Sequence, residues 1–156
     1  MIINYSDKPV EKGKKSIFLA GPTPRDINIE TWRKDAIKYL EELGFDGIVY
    51  VPELEHDDRT FNYDNQVWWE REALYNADII VFWIPRDMKI LPAMTTNVEF
   101  GYWLSKNSDK VIYGRPNNSE KNRYLDWLYE TETKRKPIDN LQELLREALS
   151  LLEKDN

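Results

Sequence analysis

The stretch Asp78-Ile79-Ile80-Val81-Phe82-Trp83-Ile84, closed by Pro85-Arg86-Asp87, decides how this chain is read. Its apolar run shows no polar alternation, so both faces of the strand it forms must be covered. Parallel sheets with helices on both sides bury strands in this way. Upstream, Ser16-Ile17-Phe18-Leu19-Ala20 is a second short apolar run, stopped by Gly21-Pro22, and Gly47-Ile48-Val49-Tyr50-Val51 is a third, closed by Pro52. Downstream, Lys110-Val111-Ile112-Tyr113 ends at Gly114.

Helical patterns fill the gaps. Between Ile29 and Leu43 the apolar residues Trp32, Ala36, Ile37, Leu40 and Leu43 keep helical spacing, and Gly44 follows as a stop signal. Further helices are predicted over Trp68 to Asn76, Thr96 to Ser105 and Asn122 to Glu130. The last helix carries a stripe of Leu141, Leu144, Leu145, Ala148, Leu149 and Leu152, beginning near Pro137 or Asp139. Strands alternating with helices predict one α/β domain over 1–156, a three-layer sandwich around a central parallel sheet. The polar stretch Glu53 to Asn65 has no periodicity and exceeds the usual connection, so it reads as a lid or functional loop.

Composition narrows the function. The 156 residues carry 22 Lys and Arg against 28 Asp and Glu, a net charge of −6, which argues against a nucleic-acid partner. With no cysteine there is no disulfide, thiolate metal site or cysteine nucleophile, and the single histidine excludes a site needing two imidazoles. No apolar run approaches the ~18 residues of a membrane span, and the Met1-Ile2-Ile3-Asn4-Tyr5 start does not read as a secretory signal. A cytoplasmic setting is the expectation. The six Trp and nine Tyr are mostly core residues, although a flat ligand such as a nucleobase also favours aromatic walls.

In an open parallel sheet, ligands bind outside the carboxyl ends of the strands, near the switch point of the strand order. That rule selects Gly21 to Arg25, Pro52 to Asp58 and Pro85 to Thr96. The Gly21-Pro22-Thr23-Pro24-Arg25 turn holds a single glycine, so it is neither a dinucleotide fingerprint nor a P-loop. There is no nucleophile-elbow serine either. The chemistry left is that of carboxylates. Glu53 follows the second strand, Glu99 sits one turn into the helix after the strongest strand's exit loop, and Glu70 lies on the preceding helix. A carboxylate can attack a sugar anomeric carbon and form a glycosyl ester that a second acceptor cleaves.

Ser16 to Pro22, then Trp69-Glu70 ahead of Asn76-Ala77-Asp78-Ile79-Ile80-Val81-Phe82-Trp83, then Asn97-Val98-Glu99-Phe100-Gly101, resemble the nucleoside 2-deoxyribosyltransferase family. Phe82-Trp83-Ile84-Pro85-Arg86 with Thr95-Thr96-Asn97-Val98-Glu99-Phe100-Gly101 is similar to its bacterial and phage transferase-like branch. The resemblance implies a flavodoxin-like sheet and cleavage of an N-glycosidic bond by a glutamate nucleophile, which falls on Glu99. A family acid on the preceding helix falls on Glu70, to hold a sugar hydroxyl or orient Glu99. Those transferases carry an Asp where this chain has Ala93, and Phe18 stands where some have a tyrosine.

Each residue also has a plainer reading. Thr96-Asn97-Val98-Glu99 matches a capping box, in which the glutamate only stabilises a helix start; if Glu99 is catalytic, the helix amino terminus should favour its charged form. Glu70 within Glu70-Arg71-Glu72 could be a solvated face. Arg25 and Arg86 are surface arginines or forks for a phosphate or base carbonyl. Gly21 and Pro22 shape the first turn, Thr95, Thr96 and Asn97 are donors to a sugar or caps, and Trp83 stacks on a base or packs in the core. His56 is expected in an exposed loop, and no metal site is expected from Glu53, Glu55, Asp57 and Asp58. No cofactor is implied.

The expected activity is cleavage or transfer at the N-glycosidic bond of a (deoxy)nucleoside or its monophosphate. The alternatives are a nucleotide-binding regulatory module without turnover and a nucleotide or NAD N-glycohydrolase. Trp103, Tyr124 and Trp127 are expected at the surface, where they would allow a homo-oligomer.

Overall fold

The structure, a computed structural model, describes residues 1–26, 28–56 and 62–154. Five strands, β1 (Ile2–Tyr5), β2 (Ser16–Ala20), β3 (Ile48–Val51), β4 (Ile79–Trp83) and β5 (Val111–Gly114), form one sheet in the order β1-β3-β2-β4-β5. All four ladders are parallel. Helices α1 (Trp32–Glu42), α2 (Tyr63–Asn76), α3 (Met94–Lys106), α4 (Arg123–Thr133) and α5 (Leu141–Lys154) cover both faces. This is the predicted three-layer flavodoxin-like arrangement.

Strand pleating sorts the core into two clusters, because successive side chains point to opposite faces. Phe18, Ala20, Tyr50, Ile80, Phe82 and Tyr113 meet Trp69 and Ala73 of α2, Phe100, Trp103 and Leu104 of α3, and Leu125 and Tyr129 of α4. Ile17, Leu19, Val49, Val51, Val81, Trp83 and Ile112 meet Trp32, Ala36 and Leu40 of α1 and the leucine stripe of α5. Burial on both sides of β2, β3, β4 and β5 is why their sequences lack alternation. Trp103 belongs to this core: expected at the surface, it is buried, with its ring 4.9 Å from that of Tyr75 and 5.5 Å from that of Tyr102.

The predicted stop at Gly44 is a Schellman motif. Gly44 takes φ +75°, its N–H bonds to Glu41 O at 3.0 Å, and the Phe45 N–H bonds to Leu40 O at 3.0 Å. Two element starts differ from the sequence reading. Helix α2 begins at Tyr63, capped by the Asn62 side chain accepting from Asp64 N at 2.8 Å, because its first turns are exposed and carry no apolar period. Helix α3 begins at Met94, with Ala93 as its cap at φ 56°, ψ 40° and no side-chain capping bond.

Strand β1 has no counterpart in the sequence reading. It is a four-residue edge strand, paired with β3 from Ile2↔Ile48 to Tyr5↔Val51. The order around β2 places β3 on one side and β4 on the other. The chain leaves β2 for α1 on one face and leaves β3 for α2 on the other, so the switch point lies between β2 and β4.

Candidate active site

At that switch point the first turn is held by its backbone. Gly21 sits at φ +153°, and a Cβ built there would lie 2.2 Å from Trp83 O and 2.9 Å from the Trp32 ring. Only glycine fits such a close approach between β2 and β4. Pro22 is buried, and its carbonyl accepts the Trp32 indole N–H at 3.1 Å.

Beneath this turn lies a buried arginine. Arg33, in the first turn of α1, is 1% exposed. Its Nε donates to Leu19 O at 2.9 Å, Nη2 to Gly21 O at 2.7 Å, and Nη1 to Thr23 Oγ1 at 3.0 Å and Glu53 Oε1 at 2.6 Å. Thr31, the cap of α1, accepts from Arg33 N at 3.3 Å and donates its hydroxyl to the same Glu53 oxygen at 2.6 Å. Burial pulls the Arg33 value down and Glu53 opposes that pull; an arginine stays charged in either case.

Glu70 of α2 and Glu99 of α3 are both part-buried, and each perturbs the titration of the other, with Arg33 opposing the effect of burial on both. Glu70 Oε1 also accepts from Gln66 Nε2 at 3.0 Å, one turn earlier on α2. Burial, reinforced by the charge of Glu70, pushes the Glu99 carboxyl up to about 7, against the pull of Arg33. Burial likewise raises Glu70, opposed by the Gln66 bond and by Arg33. Two part-buried carboxyls acting on each other disfavour the doubly ionised state, and the effect is larger on Glu99.

These facts revise two expectations. The helix starts at Met94, so Glu99 lies beyond the first turn and performs no capping duty. Its ionised form is not favoured by the helix amino terminus, because that effect fades after one turn while burial and Glu70 act directly.

The remaining sequence candidates are divided. Arg25 is exposed and, among the described residues, makes no hydrogen bond. With Thr23, Asn28, Lys34, Glu53 and Gln66 it lines an open cleft of about 1030 Å³ that shares Glu53 and Gln66 with the carboxyl pair's surroundings. Arg86 is 3% exposed and committed to the protein: Nη1 donates to Pro92 O at 2.6 Å, Nη2 to Asn97 Oδ1 at 2.5 Å and Nε to Asn122 Oδ1 at 3.3 Å. Its fork braces the loop that leads into α3, and Asn97 is thereby engaged. Thr96 is buried and Thr95 exposed. Trp83 is 6% exposed and packs in the core on the α1 and α5 side, away from the helices that carry the two glutamates. Phe18 is buried between Tyr50 and Trp69.

Glu53 is paired with Arg33, and Glu55 lies 3.2 Å from Lys8 Nζ. Asp57 and Asp58, with part of the predicted polar loop, lie outside the described residues; His56 is exposed.

Arg33, Gln66, Thr31 and Thr23 were not among the candidates read from sequence. A signal for Arg33 existed. It sits three and seven residues before Ala36 and Leu40, on the buried stripe of α1, and a charge on such a stripe is seldom buried without a purpose. Gln66 and Thr23 had no comparable mark.

No curated protein sequence matches the chain. A family model described as "Nucleoside 2-deoxyribosyltransferase like" matches residues 14–117, about two thirds of the chain. That span holds β2 to β5, Arg33, Glu53, Glu70 and Glu99, and the chain therefore belongs to the nucleoside 2-deoxyribosyltransferase-like family.

Proposed function

We propose that the chain cleaves the N-glycosidic bond of a (deoxy)nucleoside or its monophosphate through Glu99. The observation that carries this reading is the part-buried carboxyl pair of Glu70 on α2 and Glu99 on α3, whose titrations are both raised. In its singly protonated state such a pair offers both a nucleophile and an acid. A Glu99 oxygen forms a bond to C1′ as the C1′–N bond breaks, and the base leaves with the electron pair and takes a proton. The interaction of the two carboxyls favours the proton on Glu99. For Glu99 to attack as a carboxylate, that proton shifts to Glu70, which passes it to the departing base and takes one back from the second nucleophile. The nitrogen of a second base, or water, then attacks C1′ and releases the Glu99 carboxylate, giving a new nucleoside or the free sugar.

The same reading has residues 1–156 acting as one cytoplasmic domain on a small molecule. The net charge of −6 argues against a nucleic-acid partner, and no helix is long and apolar enough to cross a membrane among the described residues. A homo-oligomer fits Tyr124 and Trp127, which are 67% and 58% exposed on α4. A sedimentation experiment giving only the monomer mass removes that element of the proposal.

The test of the chemistry is chromatographic. The protein is incubated with deoxyribonucleosides and their monophosphates, with and without a second free base. A new nucleoside establishes transfer, and free base alone establishes hydrolysis. Glu99→Gln should abolish base release by at least about 10³-fold while keeping the fold. Undiminished release in that variant rules out Glu99 as the nucleophile.

A second reading, a nucleotide-binding module without turnover, is favoured by the apolar Ala93 at the α3 cap and the buried Phe18. It requires a rise in melting temperature with nucleotide and no product across the panel. NAD in the same panel addresses the glycohydrolase alternative.

A further inference from the structure

One side chain joins the open cleft to the carboxyl pair by direct contact. Gln66 lies one turn before Glu70 on α2 and lines the cleft beside Pro52 and Glu53. Its Nε2 donates to Glu70 Oε1 at 3.0 Å and reaches Pro52 O, at the exit of β3, at 3.4 Å. A carboxylate and a carbonyl both accept, so the nitrogen is the end of the amide turned toward them. Its two hydrogens are thereby assigned. What Gln66 has left to offer is its oxygen, which accepts from no donor among the described residues.

The neighbouring lining shares that character. Glu53 Oε1 is taken by Arg33 and Thr31, both at 2.6 Å, its other oxygen takes no donor among the described residues, and Pro52 contributes its carbonyl. Pro24, Ile29 and Leu54 add apolar surface suited to a flat ring. A wall of oxygens attracts a ligand edge that carries N–H groups and repels one that carries carbonyls. In the mechanism above the departing base takes its proton from Glu70. It therefore comes within hydrogen-bond reach of that carboxyl, and so beside the amide held 3.0 Å from it.

We infer, on the strength of that mechanism, that Gln66 is a specificity-determining residue whose oxygen accepts a hydrogen bond from the 6-amino group of an adenine base while Glu70 serves its N7. Adenine carries those two groups side by side on one edge, N7 an acceptor and the amino group a donor, whereas a 6-oxopurine carries two acceptors there. The proton passes from Glu70 to N7, the C1′–N9 bond breaks with its electron pair on the base, and adenine leaves as its neutral N7–H form. A 6-oxopurine turns O6 against the Gln66 oxygen, an unpaired and repulsive contact. Polarised by the amino group, the amide also donates more strongly to Glu70. The right base thus steadies the acid that serves it.

The experiment compares deoxyadenosine with deoxyinosine, which differ in the group at position 6, each also as its 5′-monophosphate. Wild type should show kcat/KM at least about tenfold higher for the amino member of a pair, and Gln66→Leu should bring that ratio to within about threefold of one. Isothermal titration calorimetry on Glu99→Gln should show the same order of affinity, with no turnover to obscure it. A Gln66→Leu variant that slows both nucleosides alike and keeps their ratio overturns the inference, since Gln66 would then act only as a brace for Glu70. So does deoxyinosine used or bound as well as deoxyadenosine, or no binding of either. If Gln66→Leu fails to fold, Gln66→Met takes its place and the wild-type ratio stands by itself. Base release intact in Glu99→Gln, with the ratio lost in Gln66→Leu, upholds Gln66 and removes the Glu99 mechanism. Release abolished in Glu99→Gln, with no preference between the pair, does the reverse.

Discussion

Arg33 and Arg86 are both buried at the carboxyl edge of the sheet, 1% and 3% exposed, and burial pulls the values of both down. Arg33 meets a carboxylate at 2.6 Å, whereas Arg86 meets Pro92 O, Asn97 Oδ1 and Asn122 Oδ1. A guanidinium can thus be buried in two ways, by neutralising its charge or by surrounding it with neutral oxygens. Neutralisation by Glu53 ties Arg33 to the lining of the open cleft. The neutral cage of Arg86 makes that side chain a staple for the segment entering α3. Burial alone would not have separated the two roles; the chemistry of the partners does.

The largest expected effect tests this difference directly. Arg33→Ala leaves Glu53 without its cation and should cost about 3–5 kcal/mol in urea unfolding. Arg86→Ala leaves only neutral acceptors unpaired and should cost less, about 2–3 kcal/mol. Equal losses would break the comparison.

Next comes the turn that Arg33 clasps. Gly21→Ala places a methyl group 2.2 Å from Trp83 O at φ +153°, so the β2 and β4 exits must part. A loss of about 3 kcal/mol is expected, and a neutral outcome would mean that Arg33 is not anchored by a rigid carbonyl.

A smaller effect depends on pH. The Glu99 value is raised from 4.5 to about 7. Between those values the folded chain holds a proton that the unfolded chain has released, so this group lowers stability as pH rises through the window. Glu99→Gln should therefore stabilise the protein by about 2 kcal/mol at pH 8 and leave it nearly unchanged at pH 4. Denaturant midpoints at the two pH values measure this, and a pH-independent effect would mean that Glu99 is not buried against Glu70. The smallest effect concerns the Arg86 side: Ala93→Gly relieves a left-handed alanine at the α3 cap and should add about 0.5–1 kcal/mol. A loss there would show that the Arg86 staple requires the alanine methyl group.

The layers and strands β2 to β5 were legible in the sequence because each of these strands is buried on both faces, while α1 and α5 carry apolar stripes. Glu70 and Glu99 were picked out by their motifs, but nothing in the spacing says that carboxyls on α2 and α3 perturb each other. The capping-box pattern at Thr96 to Glu99 misled because Ala93, which has no capping group, takes the cap through its backbone conformation. Strand β1 was hidden because Ile2-Ile3-Asn4-Tyr5 is short and half covered, with Asn4 turned inward to bond Pro9 O at 3.0 Å and Glu11 N at 3.0 Å. Trp103 was misjudged because its burial depends on Tyr75, a residue of another helix.

The place of β1 bears on how the chain assembles in time. The sheet contains no hairpin, and each ladder must wait for a crossover, which makes early pairing slow. The β2–β3 and β4–β5 ladders each close over a single helix, whereas β1 skips β2 in the chain and adds to the far edge of β3. It has no partner until β3 has docked, so this strand is expected to be the last to pair. A truncating substitution such as Ile3→Ala should speed unfolding while leaving the refolding rate almost unchanged. In stopped-flow experiments the amino-terminal edge would then behave as a late clasp on a nucleus built around β2 and β4.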